Sequence, residues 1–287
     1  MKHTFLLLAI LFIPSLYTKL HAQKEKCNLE VTYIANEGYL LKTDHHKVLI
    51  DALFTESYGI FDVPGKDTLN AIMEGTTPFD HIEMYLLTHY HKDHCSPELM
   101  VKYLNKFPNI KLVTNRPALV FIDGDQFGFV SYKNQFVELT PEQNRNESKN
   151  VNDVYITAHA MKHLSFFRKD IDIEQYMYNV AYTIEMDGVR IFHSGDTGIE
   201  NMKTYIEQNK EWKPNVDIAF VYYGMLDTVD DLQYIVSTLH PKKIIVMHVP
   251  LYLTKEWKSK TEELKKSFPE LYLLNKSDSF KKFLLDH

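Results

Sequence analysis

The chain has 287 residues, of which 45% are apolar and 24% charged, with a formal net charge of −6 and no basic block. That balance can furnish a sizeable core, and it disfavours nucleic-acid binding, which needs clustered lysine and arginine to neutralise phosphates. The two cysteines, Cys27 and Cys95, are too few for a disulfide framework, although in an exported protein they could pair or stand as thiols.

The N-terminal stretch MKHTFLLLAILFIPSLYTKLHA has the layout of a signal peptide: Lys2 and His3, an apolar run from Phe5 to about Tyr17, and small Ala22 before polar QKEK. The apolar part is shorter than the roughly 20 residues of a membrane span, an uncleaved anchor being the alternative. Residues 1–22 are expected to be a leader and residues 23–287 one exported domain, periplasmic or extracellular, with no membrane association after cleavage.

Three short strands follow in LEVTYIANEGYLLKTDHHKVLIDALF, the third ending at Asp51. TESYGIFDVPGKD reads as a loop and TLNAIMEG as a short helix closed by Gly75. HIEMYLLTH is a buried strand. SPELMVKYLNKFP is a helix with Ser96 as N-cap and Pro97 in its first turn, and NIKLVTN is another strand. RPALVFIDG reads as a short helix and turn, and polar PEQNRNESKNVND as an exposed turn or insertion. DVYITAHAMKH is a strand running into a loop. AYTIEM and VRIFH flank Asp187-Gly188, a hairpin signal. Strand and helix then alternate: NMKTYIEQNK, VDIAFVYY, TVDDLQYIVSTLHP, KKIIVMHV, TKEWKSKTEELKKSFPE and a last strand, LYLLNKSD. Strands first, then strand–helix alternation, twice over, predict two layers of sheet with helices on the outer faces.

The stretch THYHKDH places His89, His91, Asp93 and His94 directly behind an apolar strand. On a continued strand Asp93 and His94 would diverge, and on a helix His89 and His91 would; a tight loop lets all four converge. Imidazole and carboxylate are zinc ligand types. Four are more than one zinc needs beside further donors, which suggests a pair of metals about 3.5–4 Å apart. Three other strand ends offer further donors: His163 after ITAHAMK, Asp196 in FHSGDTG, and His248 after IIVM.

This set resembles the metallo-β-lactamase fold superfamily of metal-dependent hydrolases, whose His-x-His-x-Asp-His motif is matched in full by His89, His91, Asp93 and His94. The likeness runs over residues 29 to about 275. It implies an α/β fold, a four-layer αβ/βα sandwich, with two Zn2+ ions (iron or manganese being tolerated). His89, His91 and His163 would hold one metal, and Asp93, His94 and His248 the other. Asp196 would bridge them. Asp51 and His193 would support the ligands from behind. His159, four residues before His163, stays open as an alternative ligand.

The expected chemistry is hydrolysis of an ester, phosphodiester or lactone in a small-molecule substrate, with Asp93 orienting or deprotonating water. Tyr222, Tyr223 and Asn36 are candidate substrate contacts; Asn36 and Glu37 lie in an early turn expected to border the cleft. β-Lactamase-type amide hydrolysis, a non-catalytic metal scaffold and a di-iron redox protein are the alternatives. Oligomeric state is not legible.

Overall fold

The computed structural model describes residues 26–126, 134–276 and 280–286, so the leader expected over residues 1–22 lies outside the described part. Strands β1 (Lys26–Ala35), β2 (Gly38–Lys42) and β3 (Lys47–Ile50) form an antiparallel meander. The chain then winds through α1 (Lys66–Glu74), β4 (Met84–Leu86), α2 (Pro97–Lys106), β5 (Lys111–Thr114), α3 (Arg116–Gln126) and β6 (Phe136–Glu138), adding parallel strands to β3. A second run comprises β7 (Asn146–Val151), β8 (Val154–His159), a small hairpin of β9 (Phe167–Arg168) and β10 (Ile171–Asp172), then β11 (Ala181–Met186) and β12 (Val189–His193). It closes with α4 (Ile199–Gln208), β13 (Ile218–Tyr222), α5 (Val229–Leu239), β14 (Lys243–Met247), α6 (Thr254–Leu264) and β15 (Leu271–Leu273), all three late strand pairs being parallel. Finally β16 (Phe280–Asp286) returns to pair antiparallel with β1.

Two seven-stranded sheets result, ordered β16-β1-β2-β3-β4-β5-β6 and β15-β14-β13-β12-β11-β8-β7. Strand side chains alternate between faces, and here both faces are apolar. Tyr39, Leu41, Val48, Ile50, Met84 and Leu86 point to one core with Tyr182, Ile184, Ile218, Phe220 and Ile245 of the other sheet. Their neighbours Leu40, Leu49, Tyr85 and Leu87 face Ile72, Met100 and Leu104 of α1 and α2. Likewise Ala219, Val221, Ile244 and Val246 face Met202, Leu232, Ile235 and Trp257 of α4, α5 and α6. This is the four-layer αβ/βα sandwich. Tyr182 ties the sheets together by donating its hydroxyl to the Leu87 carbonyl at 3.0 Å.

Local signals held where they were strongest. Ser96 caps α2 through the Leu99 N–H, and Asp187-Gly188, both at positive φ, turns the β11–β12 hairpin. Three expectations are corrected. Residues 146–151, read as an exposed turn, are edge strand β7, paired in register with β8 from Asn146↔His159 to Val151↔Val154. An edge strand with little buried surface needs no apolar alternation, so its backbone pairing left no pattern to read. LYLLNKSD is not the last strand either, because β16 follows it and completes the other sheet. The helix over RPALVFIDG is also longer than expected, running to Gln126.

Cys27 and Cys95 are not joined: Cys27 Sγ donates to the Asp187 carbonyl at 2.9 Å, and Cys95 is buried behind the metal-binding loop. Among the described residues no helix is long and apolar enough to cross a membrane.

Candidate metal centre

The carboxyl ends of β3, β4, β12, β13 and β14 converge with the β1–β2 turn and the loop after β8. Each parallel strand therefore delivers the first residues of its following loop to one place. After β4 the chain turns tightly: the N–H groups of His94 and Cys95 both reach the His91 carbonyl, at 3.0 and 2.9 Å, before Ser96 starts α2. The loop expected for THYHKDH is therefore present, and it turns all four side chains inward. The Asp196 and His163 loops are stitched to each other. Leu164 N–H donates to the Asp196 carbonyl at 2.7 Å, and Asn179 donates to both the Met161 carbonyl and Thr197 Oγ1. Gly195 makes this possible: its φ is +52°, and a Cβ there would stand 2.5 Å from Asn179 Oδ1. Asp51 and His248 also sit at positive φ, 44° and 61°, at the ends of their strands, the kind of backbone strain found at functional sites.

All seven expected ligands meet. The donor atoms of His89, His91, His163 and Asp196 lie within 4.8 Å of one another, as do those of Asp93, His94 and His248. Asp196 spans both groups: Oδ2 is 3.3 Å from His163 Nε2 and 3.3 Å from His248 Nε2, while Oδ1 is 3.4 Å from His94 Nε2. His89 Nε2 is 3.0 Å from His91 Nδ1, and His94 Nε2 is 3.3 Å from His248 Nε2. Donors bound to one zinc at about 2.0–2.1 Å stand about 3.3 Å apart along a tetrahedral edge, so these spacings suit shared cations.

The outer nitrogens of four histidines explain why the inner ones are free to bind. His94 Nδ1–H donates to Asp51 Oδ2 at 3.0 Å and His163 Nδ1–H to the Leu164 carbonyl at 2.8 Å. His91 Nε2–H donates to Glu174 Oε2 at 3.1 Å. Thr88 Oγ1 donates to Asp51 Oδ2 and so accepts from His89 Nδ1–H at 3.0 Å. Each partner fixes a tautomer whose remaining lone pair faces the cluster, as metal-ligating histidines require. Buried Asp196 Oδ1 and His163 Nε2 find no hydrogen-bond partner among the described residues. Orphaned acceptors of this kind fit one or two divalent cations. The carboxylates also call for positive charge here: burial opposes charge on His94, yet Asp196, Asp93 and Asp51 outweigh it and raise its pKa to about 10, so that a cation binding at Nε2 would displace a proton. For Asp196, His248 and His94 likewise overcome burial and hold the carboxyl well below its usual range.

The supporting residues fall into place unevenly. Asp51 is fully buried, accepts from Thr88 N–H and Oγ1, and orients His94. His193 is behind the centre, donating from Nε2 to the Glu37 carbonyl and accepting at Nδ1 from Gly195 N–H. Asn36, expected as a substrate contact, is largely buried, and its amide donates to Asp93 Oδ2 and to the Asp93 carbonyl, both at 3.2 Å, which orients Asp93. The two tyrosine rings pack on each other with centroids 4.7 Å apart; Tyr222 is the nearer to the centre, its ring tilted against that of His248 at 5.4 Å, while Tyr223 packs edge-on against Trp257 of α6. Glu174, which orients His91, had no signal in the sequence: it lies beyond the β9–β10 hairpin in a stretch without periodicity.

His159, the rival to His163, faces away from the cluster. It hydrogen-bonds Tyr205 Oη at 2.7 Å and Thr183 Oγ1 at 2.8 Å, with Trp212 packed on its ring. Burial holds its pKa down to about 3. Between that value and the unfolded value of about 6.5, the unfolded chain binds a proton that the folded chain refuses. Stability should therefore fall as pH drops through this window, by up to about 1.4 kcal/mol per pH unit for this one group. Replacing His159 with Gln should flatten the acid limb of a urea-unfolding series by up to that slope. An unchanged limb would mean that His159 is not held neutral.

Comparison with known proteins agrees with this geometry. The sequence profile described as the beta-lactamase superfamily domain matches residues 30–248. Among solved structures, the chain is similar to Igni18, a metallo hydrolase from Ignicoccus hospitalis, at 14% identity and a TM-score of 0.58, over 90% of this chain and 100% of that one. It is similar to a putative metal-dependent hydrolase from Parabacteroides distasonis at 17% identity and a TM-score of 0.56, over 88% and 97%. It also shares its fold with CmlA, a diiron β-hydroxylase from Streptomyces venezuelae, at 14% identity and a TM-score of 0.58, over 91% of this chain and 54% of that one. With the profile covering most of the chain and the metal-binding motif assembled in space, the protein belongs to the metallo-β-lactamase superfamily.

Proposed function

We propose that the protein hydrolyses a small-molecule ester, phosphodiester or lactone with the aid of two divalent cations, zinc being the first choice for imidazole-rich donors. The observation that carries this reading is the set of four histidines whose outer nitrogens are tied to acceptors while their inner lone pairs face Asp93 and Asp196. His89, His91 and His163 would hold one cation, and Asp93, His94 and His248 the other, with Asp196 between. When bound, such ions supply a nucleophilic hydroxide near neutral pH and a Lewis acid for the oxygen that becomes negative.

The chain's own groups do the rest. Burial opposes charge on Asp93, but His94 and His248 keep its carboxyl below the usual range, so it is an ionised acceptor for a proton from water. Asn36 holds that carboxylate in one orientation. Burial keeps the Tyr222 hydroxyl protonated, and its ring stands 5.4 Å from that of His248, at the edge of the centre. Phe61 and His248 meet edge-on with ring centroids 4.0 Å apart and Tyr58 stands edge-on to His91 at 6.4 Å, an apolar wall suited to the non-reacting part of a substrate. Export follows from residues 1–22 if they act as a leader.

Metal analysis of gently purified protein, run beside a panel of generic ester, phosphodiester, lactone and β-lactam substrates, tests the reading. We expect two divalent metals per chain, a colourless protein and turnover of at least one ester-type member. A folded protein that refuses zinc, iron and manganese overturns it, as does a protein with two metals that turns over only the β-lactam.

A further inference from the structure

The β1–β2 turn carries a group that the hydrolase reading leaves unused. Glu37 follows Asn36 there and is fully buried, and neither carboxylate oxygen has a hydrogen-bond partner among the described residues. A buried carboxyl without a partner is costly, so its retention at this spot asks for a cation or a proton. The turn that presents it is rigid. Asn36 is at positive φ and bonded to Asp93, the Glu37 carbonyl accepts from His193 Nε2, and Gly38 packs so closely that a Cβ would meet the Asp51 carbonyl at 2.7 Å. The side chain is therefore held where it is and cannot swing out to water.

Two sets of neighbours stand within 4.8 Å of a Glu37 oxygen: Asp51 and His193 on one side, Asp196 and His248 on the other. The first set is already saturated. Asp51 takes Thr88 N–H, Thr88 Oγ1–H and His94 Nδ1–H, and His193 is engaged at both nitrogens. His94 Nδ1, 4.0 Å from Glu37 Oε2, is likewise spent on Asp51. The second set is not. Asp196 Oδ1 is buried without a hydrogen-bond partner, next to a carboxylate in the same condition, and His248 turns its Nε2 to Asp93 and Asp196 at 3.3 Å each.

We propose that Glu37 is an additional carboxylate ligand of the cation on the Asp93–His94–His248 side. That side then offers two imidazoles and three carboxylates, from Asp93, Asp196 and Glu37, against three imidazoles and one carboxylate on the His89–His91–His163 side. Oxygen-rich sets of higher coordination number favour manganese or ferrous iron, while the imidazole-rich set favours zinc. The centre is thus asymmetric, with one zinc-type and one harder site. This rests on the reading of the seven side chains as a metal centre.

Full-length protein and its Glu37→Gln variant, both stripped by chelator, would be titrated separately with Zn2+ and Mn2+. Binding would be followed by calorimetry and Mn2+ by electron paramagnetic resonance, with thermal unfolding of each stripped protein alongside. Wild type should take two metals and bind Mn2+ at one site only. Glu37→Gln should weaken that Mn2+ site by at least about 10–100-fold, the range for outer supporting partners, while the zinc site stays unchanged. Its stripped form should melt no lower than wild type, because the isosteric amide removes a buried unpaired carboxyl. An unchanged Mn2+ affinity overturns the proposal, and so does an equal loss at both sites, which would mark Glu37 as structural. A wild type that binds no metal instead defeats the underlying metal-centre reading, and the two failures are thereby distinct.

Discussion

Asp196→Ala should lower turnover by at least about a thousandfold, beyond the roughly 10²–10³-fold loss that follows removal of a single transition-state hydrogen-bond donor. Its two oxygens face His94, His163 and His248 at 3.3–3.4 Å, so one truncation strips both halves of the centre of their shared acceptor. Fold should survive. Asp196 sits in a loop whose backbone is held by Asn179 and Leu164, and the sandwich core lies elsewhere. Metal content measured beside circular dichroism checks this. A variant that keeps two metals and wild-type turnover on a confirmed substrate would refute the bridging role.

The second large effect concerns a residue that touches no metal. Asp51→Asn should leave a folded protein with about 10–100-fold weaker metal binding on the His94 side, the usual range for an outer partner. The cause is a proton. Asp51 Oδ2 now accepts from His94 Nδ1–H, which leaves the inner Nε2 lone pair free. An asparagine can satisfy the Thr88 N–H with its oxygen, but its amide then donates toward His94. The imidazole must accept at Nδ1 and carry its proton on Nε2, where no cation can bind. Metal titration at two pH values reads this out, and affinity equal to wild type would exclude tautomer control. Asp51→Ala is the harsher control: it leaves Thr88 Oγ1 and the His94 N–H without their acceptor in the interior, a loss of about 1–3 kcal/mol for each buried donor left unpaired.

Legibility differed sharply between parts of this molecule. Strands buried on both faces announced themselves as apolar runs, and helices with strong starts were visible from their caps. Edge strand β7 was not visible because its backbone pairing with neighbouring β8 needs no apolar alternation, and returning strand β16 because its place is decided by pairing with β1 at the other end of the described chain. Within the centre, His89, His91, Asp93 and His94 were readable from spacing alone, since so dense a cluster behind a buried strand has few other uses. His163 over His159 was a preference that geometry decided: the β8 register turns His159 into the Tyr205–Trp212 cluster. Glu174 and the burial of Glu37 had no local signature, because what matters about each is the partner it meets from another loop.

The sequence by itself determined the chemistry available: histidine and aspartate side chains of metal-ligand type at the ends of apolar strands, on a chain with enough apolar strand to make two sheets. Only the tertiary structure decided which nitrogen of each histidine faces inward, that Asn36 serves Asp93, and that Glu37 is sealed inside beside the unpartnered atoms of Asp196 and His248. The physical reason is range. Periodicity and capping act over a few residues, whereas a proton's position on an imidazole, or the cost of a buried carboxyl, depends on groups brought together from as far as 156 residues apart.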